Sequence, residues 1–132
     1  MNYEQLYDLF LLALCIWREA RNQTLDAKLG VAYTVINRVN HPSWWGTDII
    51  SVILKPFQFS SFNRNDPNAI KLPVMQDLSW VASLDAANDA INRTKPDPTN
   101  GATYYHDNSI EPPSWVKEAT FLCQIDSLLF YR

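Results

Sequence analysis

Residues 2–22 contain neither proline nor glycine, and inside them residues 10–17 read Phe-Leu-Leu-Ala-Leu-Cys-Ile-Trp without a polar break. An apolar run of this kind has to be hidden from water, and the ways of hiding it are few. It is too short to span a bilayer, which takes about 20 residues. It follows Glu4 and Asp8 rather than lysine or arginine, so it does not read as a secretory leader. The remaining reading is the buried part of a long first helix.

Tyr3, Tyr7, Phe10, Leu11, Leu14 and Arg18 recur at helical spacing and predict the stripe on which that helix packs. A second helix is predicted over 25–40, with Leu29, Ala32, Tyr33, Ile36 and Val39 on one face. Asn22-Gln23-Thr24 supplies its cap and His41-Pro42 ends it. After a Ser43-Trp44-Trp45-Gly46 loop, Thr47 is expected to cap a short helix over 48–54, with Asp48 in its first turn, and Lys55-Pro56 breaks it. Residues 57–73 read as one irregular loop, which is uncommon inside a compact domain and often functional. A helix follows over 78–93 on Trp80, Val81, Leu84, Ala87 and Ile91. The turn cluster 95–101, a strand over 102–106, a Pro-Pro-Ser-Trp loop, and strands over 119–125 and 128–131 complete the chain. The expected class is α+β: one domain spanning residues 1–132, mainly helical, with a small C-terminal antiparallel sheet.

A net charge of -3 without any basic run argues against nucleic acid as partner, because phosphate binding needs clustered Lys and Arg. Cys15 and Cys123 do not make a disulfide framework; free buried thiols are expected, with a single bridge as the alternative. Cys15, His41, His106 and Cys123 lack the paired spacing of a zinc site, so neither metal nor cofactor is expected. The segment Asn37-Arg38-Val39-Asn40-His41 hints at a nuclease but has no metal-ligand spacing. Five Trp and six Tyr in 132 residues are compatible with a ring-rich core or with a groove whose rings stack on sugars or bases.

Glu19 directly follows the apolar run and lies beside Cys15 and Leu12 on a helical wheel. A carboxyl group against apolar walls resists ionising, which raises its pKa and suits a general acid. The alternative is a surface glutamate pairing with Arg18 or Arg21.

The chain runs through Cys15-Ile16-Trp17-Arg18-Glu19-Ala20-Arg21, Gly30-Val31-Ala32, Val35-Ile36-Asn37-Arg38-Val39, and Val52-Ile53-Leu54 with Pro56. Gln58-Phe59-Ser60, Gly101-Ala102-Thr103-Tyr104-Tyr105-His106, Pro113-Ser114-Trp115 and Phe130-Tyr131-Arg132 follow. In this order the segments resemble the cell wall hydrolase family of the spore cortex-lytic, SleB type. Asn22 stands where many relatives have glycine. The resemblance implies a lysozyme-like, lytic-transglycosylase-like fold. It also implies cleavage between N-acetylmuramic acid and N-acetylglucosamine, with Glu19 as the acid, and hence bacterial peptidoglycan strands as partner.

The other matched residues are candidates for substrate binding. Gln58, Phe59 and Ser60 suit sugar hydroxyls and N-acetyl groups, or else form a turn. Tyr104 and Tyr105 are adjacent on a strand, so only one is expected to face the groove, with His106 on the side of Tyr104. His106 is either a catalytic helper or structural, Trp115 either a sugar platform or a core ring. Tyr131 closes the set, and Arg132 either pairs with a carboxylate or sits beside the terminus. Asn37 and Arg38 are expected to brace helix packing.

Glycosidases ordinarily use two carboxylates roughly 5 to 10 Å apart. Asp8 is about 16 Å from Glu19 along the helix axis, and Asp66, Asp107 and Glu111 lie in unmarked loops. A lytic transglycosylase needs only one carboxyl group and yields a 1,6-anhydro end. The alternatives are a muramidase using a loop carboxylate, or a module that holds glycan without cutting it. A monomer without membrane insertion is expected. With no leader read, the expected setting is endolysin-like: the host cytoplasm before release to the wall.

Overall fold

The computed structural model describes residues 1–56, 58–74 and 76–132; Phe57, where the irregular loop was expected to begin, and Met75 lie outside the described residues. The element order is α1 (Tyr3–Ala20), α2 (Leu25–Asn40), α3 (Ile49–Leu54), α4 (Leu78–Asn92), β1 (Tyr104–Asp107), β2 (Phe121–Ile125) and β3 (Leu128–Tyr131). Short 3-10 turns occupy Ser60–Phe62, Pro67–Ile70 and Ser114–Lys117. The class is the expected α+β.

Local chemistry explains the helix starts. Asn2 and Gln5 form a reciprocal capping box at α1, and Thr24 caps α2. Asp48, not Thr47, caps α3, because its carboxylate takes the Ser51 amide while the Ser51 hydroxyl returns to the Asp48 amide. Asp77 caps α4, which ends on Arg93 in the left-handed region at φ 55°.

Helix α2 is the axis of the domain and is buried on every side from Ala27 to Arg38. Helices α1, α3 and α4 pack around it. The buried face of α4 is Ser83, Ala86, Ala87 and Ala90, small residues that let it sit close to α1 and α2. Of the predicted α4 stripe, Ala87 is buried and Trp80, Leu84 and Ile91 pack against the core, while Val81 is 46% exposed. The correction to α1 is larger. Tyr3 and Tyr7 are 83% and 69% exposed, and the face that packs is Leu12, Ala13, Cys15, Ile16, Trp17 and Ala20. Two apolar stripes overlap on this helix; the one through Leu12, Ile16 and Trp17 meets the neighbouring helices, while Tyr3, Tyr7 and Phe10 are left in water.

The sheet order is β1-β3-β2, antiparallel throughout. Its β2–β3 turn is tied to the α1–α2 link: the Asp126 carboxylate accepts the Thr24 amide at 2.9 Å, and Gln23 bonds Ser127. Phe130 of β3 leans onto α2 at Gly30, where an added Cβ would come within 2.7 Å of its ring. Glycine is needed there for the close approach of sheet to helix. Cys15 and Cys123 are free thiols. The segment 58–73 is not structureless, since it contains two 3-10 turns.

Candidate active site

Glu19 lies in the last turn of α1, and two cations fix that turn. The buried Lys28 reaches back from α2, and its Nζ donates to the carbonyls of Ala20, Arg21 and Gln23 at 2.9, 2.9 and 2.8 Å. A cation on the exposed carbonyls of a helix C-terminus satisfies them and opposes the helix dipole. Arg18, on the other side, donates from Nη2 to the carbonyls of Ala69 and Lys71, both at 3.0 Å, and lies 4.7 Å over the Phe62 ring. It thereby pins the segment carrying Ser60 and Ser61 against the end of α1.

The carboxyl of Glu19 opens into a cleft of about 350 Å³ lined by Glu19, Arg38, Trp44, Gln58, Phe59, Ser60, Tyr104, Tyr105 and Trp115. The Tyr105 hydroxyl donates to Glu19 Oε1. Burial raises the pKa of Glu19. The Tyr105 and Ser61 hydroxyls pull it back by favouring the charged form, and the charge of Asp66 adds to the rise. Burial, and then the charge of Glu19, push the Tyr105 phenol well above its ordinary value. Tyr105 therefore remains a neutral donor. A carboxyl group so placed holds its proton to higher pH than an ordinary glutamate and can also carry charge once the proton has gone.

Seven of the sequence-derived candidates meet in this cleft: Glu19, Gln58, Phe59, Ser60, Tyr104, Tyr105 and Trp115. His106 and Tyr131 do not line it. They stack on one another with centroids 5.4 Å apart, His106 Nε2 meets the Tyr131 hydroxyl at 3.0 Å, and both rings back onto Trp115. Both tyrosines 104 and 105 line the cleft, against the expectation of one. They do point to opposite faces, Tyr104 toward Trp115 and Tyr105 toward Phe59 and Phe130. Because β1 is an edge strand, the cleft wraps around it and touches both faces. Arg132 makes no ion pair among the described residues. Two lining residues were missed. Trp44, in a loop, carried the signal of an exposed ring beside a glycine turn, and Arg38 was read as a helix brace. It does brace, giving Nε to the Thr103 carbonyl at 2.7 Å, as Asn37 does to Asp97 and Ala102.

Among the described residues Glu19 is the sole carboxylate lining the cleft. Asp66 accepts the Asn68 amide at 2.8 Å and borders a neighbouring hollow, Asp107 is held by Ser109 and Ser127, and Glu111 is exposed. Among the described residues no cluster of three or more His, Cys, Asp or Glu is placed to hold a metal, and no helix is long and apolar enough to cross a membrane.

Residues 22–131 match the family model described as Cell Wall Hydrolase. The chain belongs to that family. The match begins three residues after Glu19, so the case for Glu19 rests on geometry and on the motif around it. The spore cortex-lytic enzyme of Halalkalibacterium halodurans is 28% identical over 109 residues, which are 83% of this chain and 30% of that protein. The family member described here thus spans under a third of the length of that curated relative. The structure is similar to the catalytic domain of the germination-specific lytic transglycosylase SleB from Bacillus anthracis. The TM-score is 0.79 at 23% identity, over 100% of this chain and 99% of that one. The catalytic domain of Bacillus cereus SleB gives a TM-score of 0.77 at 25% identity, over 99% and 93%. The lytic-transglycosylase-like fold expected from the resemblance is therefore observed.

Proposed function

We propose that this cell wall hydrolase cleaves the bond between N-acetylmuramic acid and N-acetylglucosamine in peptidoglycan as a lytic transglycosylase, with Glu19 alone as acid and then base. The observation that carries this reading is a single carboxyl group, with its pKa raised by burial, facing an aromatic cleft with no second carboxylate among the described residues that line it. Protonated Glu19 gives its proton to the glycosidic oxygen, the bond from that oxygen to the muramic acid anomeric carbon breaks, and positive charge develops on the ring. The same sugar's 6-hydroxyl attacks that carbon and passes its proton to Glu19. The products are a 1,6-anhydromuramic acid end and a free 4-hydroxyl on N-acetylglucosamine, with no water consumed and Glu19 restored. The Tyr105 hydrogen bond steadies Glu19 while it is charged between the two transfers. The tilted rings of Trp44, Trp115 and Tyr104 supply surfaces for sugar faces.

Digestion of purified sacculi followed by mass spectrometry of the muropeptides tests this. Anhydro ends are expected. Reducing muramic acid ends would replace the transglycosylase step with hydrolysis through a loop carboxylate such as Asp66, and bound but uncut sacculi would leave only a binding module.

A further inference from the structure

Arg38 carries a buried charge in the cleft that no carboxylate pairs among the described residues. The residue is 4% exposed, and no carboxylate lies within ion-pair distance among the described residues. Its Nε holds the Thr103 carbonyl, Nη1 reaches Gln58 Oε1 at 3.5 Å, the limit of a hydrogen bond, and Nη2 has no partner among the described residues. The rings of Trp45, Tyr104 and Phe59 wall the guanidinium at 5.3, 5.2 and 5.4 Å. Burial pushes its pKa down, and the groups that favour its charge are Tyr105, Tyr104 and Cys15, which ordinarily carry no charge near pH 7. A guanidinium nonetheless stays charged there. Bracing Thr103 uses only Nε. The part left over is a planar fork of donors beside the cleft.

A cation cannot help at the anomeric carbon, where positive charge grows during cleavage, so its partner is an acceptor elsewhere on the sugar. A fork of this geometry matches a carboxylate or a carbonyl far better than a hydroxyl. We propose that Arg38 is a specificity-determining residue. Its Nη groups grip the carboxyl, or the amide carbonyl that replaces it, on the 3-O-lactyl group of muramic acid, and Gln58 gives way as they do. This rests on the reading that the cleft takes peptidoglycan glycan. It adds the atom by which muramic acid is told from N-acetylglucosamine, which carries the acetamido group but no lactyl.

Titration of the intact chain with N-acetylmuramic acid, muramyl dipeptide and N-acetylglucosamine, followed by tryptophan fluorescence, tests the assignment. The wild type is expected to bind the first two about tenfold more tightly than the third. In Arg38→Met that preference falls to about twofold or less. Arg38→Lys keeps a point charge without the fork, so it retains part of the preference for the free acid and loses that for the dipeptide. Wild-type affinities for the two monosaccharides that agree within about twofold would overturn the proposal, as would a preference undiminished in Arg38→Met. Should Arg38→Met fail to melt cooperatively, the wild-type comparison and Arg38→Lys decide. Wild type that leaves sacculi uncut breaks the functional reading; wild type that cuts them without preferring muramic acid breaks only the role of Arg38.

Discussion

The two ends of α1 are built from similar material and treated in opposite ways. Its first half carries Tyr3, Tyr7 and Phe10 on the surface and is held at the start by little more than the Asn2–Gln5 box. Its last two turns are sunk in the core, with their carbonyls capped by Lys28 and their flank pinned by Arg18. The apolar run therefore serves less to stabilise the helix as such than to immobilise the turn that bears Glu19. A carboxyl group works as a general acid only if its environment both raises its pKa and holds it at a fixed point.

That contrast can be broken from its strongest side first. Glu19→Gln is expected to lower sacculus turnover by about a hundredfold to ten-thousandfold, the usual worth of a general acid. The same change is expected to raise stability near neutral pH, measured by thermal melts. The folded chain holds the Glu19 proton more tightly than the unfolded one, so wild-type stability falls as pH rises from the ordinary glutamate pKa to the raised one. The gain in Glu19→Gln should vanish below the ordinary glutamate range. Lys28→Met leaves three carbonyls at the end of α1 without their cation and should cost about 2–4 kcal/mol in denaturant melts.

Tyr105→Phe removes a hydrogen bond that favours charged Glu19. The pKa of Glu19 then rises further, and the alkaline limb of the pH–rate profile moves to higher pH, with a several-fold loss of rate, on the order of one charge-assisted hydrogen bond or less. At the other end of the helix, Tyr7→Ser should change stability by no more than about 0.5 kcal/mol. An effect there as large as that of Lys28→Met would erase the contrast.

What could be read in advance follows the range of the forces involved. The bounds of α2 were legible because Thr24 and His41-Pro42 are local signals. The packing face of α1 was not, because choosing between two apolar stripes depends on neighbours far along the chain. The turns at 60–62 and 67–70 were missed for the same reason: Arg18 holds the carbonyls that shape them from about fifty residues away. Glu19 stood out through its motif and its place after the apolar run. Its hydrogen bond from Tyr105, 86 residues on, and the buried charge of Arg38 needed the folded chain.

The protonation of Glu19 can be observed without substrate. The chain has four glutamates, and a carbon-detected NMR titration of their side-chain carboxyls resolves each. The signal missing from Glu19→Gln is expected to titrate above the usual carboxylate range in wild type, and higher again in Tyr105→Phe. A Glu19 signal that titrates at the ordinary glutamate value would contradict the assignment of Glu19 as the proton donor.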